Sequence, residues 1–245
     1  DNEFCPPERK AKYLDTVRGD DYMYNVWIRG MWGDREILNP FATHYDESKH
    51  VGKVDRVEGA QIVISIDFNI DPFTANLYQM YRKRGVIHVE QFDEMEIKGG
   101  TIEAMAREIQ LRCAKELTTI QVTGDAMGSN RRIGDRDNKS LFRKLGDELG
   151  LAEGQFRIKS NPMHKTSRDQ VNYFLRHFEH FTIDERCVST RRDLRTVQVD
   201  ETGSILKSNR KKESQRADHL DNFRYFVNVY FGAAIDRHRR TGTWD

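Results

Sequence analysis

The sequence predicts an α/β layer fold, a sheet flanked by helices, and three observations carry that prediction. Residues 61–97 hold three runs of strand-like alternation, IVISIDF, ANLYQMYRKRG and VIHVEQFDEMEI, with Arg84 and Gly85 as the turn between the last two. Beyond Gly99 and Gly100, segments of helical periodicity alternate with short apolar runs. Two of the apolar runs, QIVISID and TTIQVTGD, end on a carboxylate, Asp67 and Asp125.

Each element follows from its own residues. Ile62, Val63, Ile64 and Ile66 form a β-branched run broken by Asp71 and Pro72, so 61–67 reads as a buried strand delivering Asp67 to its end. The three alternating runs read together as an antiparallel meander. Ile102, Met105, Ile109 and Cys113 recur at helical spacing behind Thr101, a suitable N-cap, which predicts a helix over 101–117. Helices are expected again over 138–149, closed by Gly150, over 167–180 and over 189–196, with short strands at 155–158 and 182–184. VQVDETGSILK (197–207) alternates around Thr202 and Gly203 as a hairpin does, and its far side is the basic KSNRKKESQR (207–216), expected to be mobile until a polyanion binds. Leu220, Phe223, Val227 and Tyr230 then fall on one stripe of a closing helix over 216–231, whose opening turns carry Asp218, His219 and Asp221.

Residues 1–50 read differently. Pro6, Pro7, Gly19, Gly30, Gly33 and Pro40 punctuate short amphipathic pieces around Tyr22, Tyr24, Val26, Trp27 and Trp32, as in a docking segment or linker ahead of a domain at 51–245. The chain begins at Asp1, as a fragment or processed product would. Its 245 residues suffice for one sizeable core plus an appendage. A charged fraction of 32% and a mean hydropathy of −0.78, with no apolar run of bilayer length, argue for a soluble protein with no membrane partner. Cys5, Cys113 and Cys187 are far apart and show no Cys/His clustering, which argues against a disulfide framework and a structural zinc site and for a reducing setting. His88, His164 and His177 lack metal-ligand spacing and read as structural or surface residues. The net charge of +1 excludes a polycation, so any case for nucleic acid rests on local clusters.

A carboxylate at the end of a buried strand is costly unless cations or donors offset it, and Asp67 taken alone reads first as a turn-former or helix cap. Asp218 and Asp221 likewise complement the dipole of their helix, worth about 0.3–1 kcal/mol each. Their number gives them weight. Asp67, Asp125 and Asp221 arrive from regions far apart in sequence, and their convergence would make a site for Mg²⁺ or Mn²⁺, ions held by carboxylates, water and phosphate oxygens. Two such ions about 3.5–4 Å apart would activate an attacking water and stabilise the leaving oxygen of a phosphodiester.

Three motifs, SIDFNIDP (65–72), VTGDAMG (122–128) and DHLDNFRYF (218–226), lie in this order of elements. Over most of 51–231 the chain thereby resembles the nuclease domain of phage large terminases, in the RNase H-like superfamily. DHLDNFRYF is similar to the family's D-A-x-R-Y helix, and the stretch from Pro7 through MYNVWIRGMWGDREILNPF (7–41) resembles the end of the terminase ATPase domain. The resemblance implies an RNase H-like mixed β-sheet flanked by helices. It implies that Asp67, Asp125 and Asp221 are the metal-binding and catalytic acids, with Asp218 or His219 as an auxiliary ligand or proton-transfer group. Asp221 is preferred to Asp218 because residues 221–225 match the motif's spacing. Phe68 and Asn69 stand where many members have a glycine, Asn222 replaces the motif's alanine, and Asp71 is left open between ligand and turn residue. The implied activity is a Mg²⁺- or Mn²⁺-dependent endonuclease that cuts double-stranded viral DNA during genome packaging, with little sequence specificity, in the host cytoplasm. The implied partners are the portal, the small terminase subunit and the terminase's own ATPase domain. The chain has no G-x-x-x-x-G-K-[ST] loop, so in a terminase the motor would lie outside it.

Four basic clusters suit a polyanionic substrate: RRIGDR (131–136), RRDLR (191–195), KSNRKKESQR and RHRR (237–240). Arg131, Arg132, Lys207, Arg210, Lys211, Lys212 and Arg216 are the expected DNA contacts. A charge run is more often a solvated face. The 207–216 run stands above that reading because it immediately precedes the acidic helix, where the 197–216 hairpin could gate the acids, and RHRR stands below it because it lies in a tail expected to fray. Two alternatives stay open. One is another RNase H-like nuclease, such as a junction resolvase or transposase; the other is a non-catalytic module that binds DNA or the portal, with the acids as caps and turns.

Overall fold

The computed structural model describes residues 39–69, 71–130, 139–208 and 215–244, together with Pro6, Glu8, Arg9 and Leu14. The chain divides into two units, Asp1–Leu38 and Asn39–Asp245, and the architecture below is that of the second. The expectations for the leading Trp- and Gly-containing pieces, and for Cys5, lie outside the described residues. Asn39 to His50 belong to the larger unit: Phe41 is fully buried, and its N–H donates to Val197 O at 2.8 Å.

The β-rich half folds as its alternation requires. Strands β1 (Val51–Gly52), β2 (Gln61–Asp67), β3 (Phe73–Lys83), β4 (Val86–Ile97), β5 (Gln121–Gly124) and β6 (Phe181–Asp184) form one mixed sheet in the order β1-β6-β4-β3-β2-β5. The expected meander is present, with β2 antiparallel to β3 and β3 antiparallel to β4. Arg84 and Gly85 both adopt positive φ, the backbone that a two-residue hairpin turn demands. The remaining pairs are parallel, so β3 alone opposes the other five strands. The carboxyl ends of β2, β4 and β5 therefore share one edge of the sheet.

Both faces of the sheet are covered, and one strand shows how. Ile62, Ile64 and Ile66 point to a core shared with helices α2 (Ile102–Cys113) and α3 (Leu141–Leu149). Val63 points the other way, to a core with α4 (His164–His177) and α6 (Asp218–Phe226). By the period of two, Ser65 and Asp67 share the face of Val63. The short helix α1 (Glu47–His50), α5 (Val188–Thr196) and α7 (Gly232–Thr241) complete the helical set used below. Thr101 caps α2 by accepting from Ala104 N, and Gly150 closes α3 at φ 67°, as the sequence predicts.

Several local expectations change. The strand expected at 155–158 is a 3₁₀ turn, Glu153–Gln155, followed by one isolated bridge from Phe156 to Val122, because the Gln155 side-chain amide donates to Leu117 O and Ile120 O and fixes a turn there. The 197–207 hairpin is reduced to a single bridge, Val199 to Ile205, around a turn in which the Asp200 carboxylate accepts from Thr202 N and Ser204 N. The helix expected to start at 167 starts at His164, which opens α4 and whose Nδ1 accepts from Ile205 N at 3.0 Å. RHRR does not fray: it sits in α7, where Arg239 pairs with Asp169 at 2.6 Å and His238 with the Tyr173 hydroxyl at 2.9 Å. Trp244 then folds back, its Nε1 donating to His177 O at 3.0 Å. The closing helix shows more than a stripe, since all nine residues of α6 are buried, the polar ones included.

Candidate active site

Asp67 ends β2 on the face that packs against α6 and is 3% exposed. One residue pair earlier on that face, the Ser65 hydroxyl donates to Asn222 O at 2.7 Å and ties β2 to the middle of α6. Asn222 in turn donates from Nδ2 to Thr74 Oγ1 at 3.0 Å, so the departure from the motif's alanine adds a second tie to the sheet.

Asp125 reaches the same place because Gly124 precedes it. Gly124 has φ 148°, and a Cβ there would meet Ile66 O at 2.0 Å. The absent side chain lets β5 close on the end of β2, where Asp125 N donates to Ile66 O at 2.9 Å. Asn161 then holds the Asp125 side chain: its Nδ2 donates to Asp125 Oδ1 at 2.5 Å, while its own Oδ1 accepts from Ala126 N at 2.9 Å.

Helix α6 brings the third and fourth acids in its first turn, Asp218 and Asp221, both buried. Asn69 Nδ2 lies 2.5 Å from Asp67 Oδ2 and 3.5 Å from Asp218 Oδ1 and so spans the two. Asp221 is held by cations on both oxygens: Arg224 Nε donates to Oδ1 at 2.6 Å, and the Lys207 ammonium pairs with Oδ2. Arg224 is itself buried, against the Tyr225 ring and hydroxyl.

The electrostatics divide the acids. Burial, and then the charge of Asp221, raises the Asp67 carboxyl well above the usual range, with Asp125 and Asp218 adding in the same sense. Burial would raise Asp221 as well, but Arg224 and Lys207 outweigh it and hold its carboxyl low. The negative charge of the pair thus rests on Asp221.

His219 faces a neighbouring network. Its Nδ1 lies 2.7 Å from Asn76 Oδ1, and its Nε2 stands 3.9 Å from Glu96 Oε2. Asp193 accepts from His219 N at 3.0 Å and Leu220 N at 3.3 Å, which caps α6 from α5. Of the expected DNA contacts, Lys207 is on Asp221 and Arg216 is 3.5 Å from Glu96; Arg131, Arg132, Arg210, Lys211 and Lys212 lie outside the described residues. Asp71 is exposed at the turn between β2 and β3.

Among the described residues, no three Asp, Glu, His or Cys side chains stand together as a ready metal cage. The donor chemistry nevertheless suits a hard divalent cation: Asp67, Asp125, Asp218 and Asp221 present hard carboxylate oxygens at one sheet edge, and Asp221 already binds two cationic side chains.

The whole arrangement can be set beside known structures. The large terminase from a thermophilic bacteriophage superposes with a TM-score of 0.55 at 17% identity over 94% of this chain and 54% of that one. The same terminase in complex with ADP gives 0.57. The bacteriophage P22 large terminase nuclease domain gives 0.53 at 10% identity, over 78% of this chain and 93% of that one. The chain has the fold of a large terminase nuclease domain. It is the mixed sheet flanked by helices that the sequence predicts, and it spans about half the length of the full large terminase it matches. No family model matches the sequence, nor does any curated protein.

Three side chains that hold these acids, Arg224, Asn161 and Asn69, are not among the site residues the sequence predicts. Arg224 stood at the i+3 position from Asp221, a spacing that pairs opposite charges on a helix, so its signal was present. Asn161 and Asn69 carry no such signal, because their contacts cross between loops and strands.

Proposed function

We propose that the chain is the nuclease portion of a phage large terminase, a hydrolase that cuts double-stranded viral DNA during genome packaging. The observation that carries this reading is the meeting of Asp67, Asp125 and Asp221 at one sheet edge from β2, β5 and α6. These three acids would hold Mg²⁺ or Mn²⁺, two ions once the phosphodiester is bound, with Asp218 as the auxiliary donor. A hard divalent cation supplies a Lewis acid there, easing deprotonation of the attacking water and build-up of charge on the departing oxygen.

The side chains do the rest. Asn161 aims Asp125, Asn69 keeps Asp67 and Asp218 in register, and Arg224 keeps Asp221 ionised. His219 serves as a positioning residue, since its Nδ1 is engaged by Asn76 and its ring faces Glu94 and Glu96. Lys207 and Arg216, at the two ends of the basic run, would meet backbone phosphates without reading sequence. In the same reading the domain covers 51–245 and 1–50 is the end of the ATPase portion, with its last stretch, Asn39–His50, folded into the larger unit. The portal, the small terminase subunit and that ATPase portion are the partners, and the host cytoplasm is where the protein acts.

The test is cleavage of supercoiled plasmid with Mg²⁺, Mn²⁺ or EDTA. Wild type should cut only with metal, and Asp67→Ala and Asp125→Ala should be inactive yet folded. Variants that cut like wild type would remove the proposed site. DNA binding that persists in EDTA with no cutting under any condition would favour the non-catalytic module instead.

A further inference from the structure

Lys207 was expected on DNA, and it stands instead on the most deeply held acid of the site. Asp221 is 1% exposed, and its two oxygens have partners of different kinds. Arg224 is on the same helix, buried, and fixed by Tyr225 and by Pro162 O at 3.4 Å, so it is a permanent part of the wall. The Lys207 side chain is 35% exposed and enters from outside the helix on a flexible four-carbon stem. Its segment is anchored behind it, with Leu206 N donating to Gln198 O at 3.0 Å and Ser208 Oγ to Gln215 Oε1 at 3.0 Å. The backbone can therefore stay in place while the ammonium leaves.

We propose that the Lys207 ammonium is an exchangeable internal counter-ion of Asp221, which a divalent cation must displace, and that the displaced ammonium then takes a phosphate of the nucleic acid. The proposal rests on the nuclease reading above. A hard cation needs an open oxygen, and on Asp221 only Oδ2 is held by a partner able to withdraw. Arg224 and Lys207 bring two positive charges to the four carboxyl groups of Asp67, Asp125, Asp218 and Asp221, so exchanging the ammonium for a doubly charged ion brings the cluster nearer neutrality. The exchange would couple two ligands reciprocally: metal frees Lys207 for phosphate, and a phosphate that captures Lys207 frees Asp221 for metal. Nuclease loading would then follow DNA engagement.

The test is calorimetric titration of Mn²⁺, without DNA, into wild type, Lys207→Met, Lys207→Arg and Asp67→Asn. Lys207→Met should bind Mn²⁺ about fivefold tighter or more, the lower end of ordinary coupling between sites. Lys207→Arg, whose fork grips a carboxylate more firmly, should bind more weakly than wild type, and it carries the test alone if the Met variant fails to fold. Lys207→Met binding no tighter than wild type, with Asp67→Asn binding lost, would overturn the role of Lys207 and leave the metal site standing. No saturable Mn²⁺ binding to wild type or to either Lys207 variant would overturn the metal site along with it.

Discussion

Arg224 and Asp221 form a buried ion pair one helical turn apart, with Nε 2.6 Å from Oδ1 and side chains 5% and 2% exposed. Breaking such a pair from one side strands a charge in a medium that solvates it poorly. Arg224→Met should therefore destabilise the protein by about 3–5 kcal/mol, read from urea unfolding. Asp221→Asn/Arg224→Met, which removes both charges, should recover part of that loss. A single Arg224 variant as stable as wild type would mean that Lys207 alone suffices for Asp221.

Asp193 gives the fold a pH signature distinct from the acids at the sheet edge. Burial raises its carboxyl from 3.8 to about 6, despite the opposing pull of His219 and of Arg192, 2.7 Å away. The native state then holds a proton between about pH 4 and 6 that the unfolded chain has released, so this group's contribution is fully present below 3.8 and is lost as pH rises through about 6. The loss is on the order of 3 kcal/mol. Asp193→Asn keeps an acceptor for His219 N and Leu220 N but cannot ionise. Its stability relative to wild type should rise between pH 4 and 7, and parallel stability curves over that range would contradict the raised value.

The legible part of this protein was its local grammar. Alternation located β2, β3 and β4, the Arg84–Gly85 turn joined two of them, and Thr101 and Gly150 marked helix ends, because each signal acts over a few residues. Asp67 and Asp125 were legible as acids at strand ends, and Gly124 was in view beside the second. What the sequence could not disclose was which charge would sit on which. Lys207 belongs to a basic run and reads as a phosphate contact; only the packing of 204–207 against the start of α4 and α6 brings it to Asp221. The apolar stripe of the closing helix was legible, but the burial of the polar residues of α6 was not. Asp193 from α5, with Thr74 and Asn76 from β3, bury its polar residues.

Asn161 offers the sharpest separation of positioning from folding. It is exposed, yet its amide donates to Asp125 Oδ1 at 2.5 Å and its carbonyl accepts from Ala126 N at 2.9 Å, fixing both the carboxylate and the backbone beside it. Hydrogen bonds of this kind in a solvated loop contribute about 0.5–1.5 kcal/mol to stability, so Asn161→Ala should unfold only slightly more easily than wild type. Groups that orient a ligand carboxylate affect metal affinity or activity about 10–100-fold when removed, because the carboxylate must then be ordered as the ion binds. Plasmid cleavage by Asn161→Ala should fall by that factor, and its Mn²⁺ affinity should fall with it. Asn161→Asp would keep the acceptor for Ala126 N but set a second negative charge against Asp125, and should repel it from its present orientation. If Asn161→Ala lowered the unfolding midpoint strongly while Mn²⁺ affinity stayed at the wild-type value, the residue would belong to the loop's architecture and not to the site.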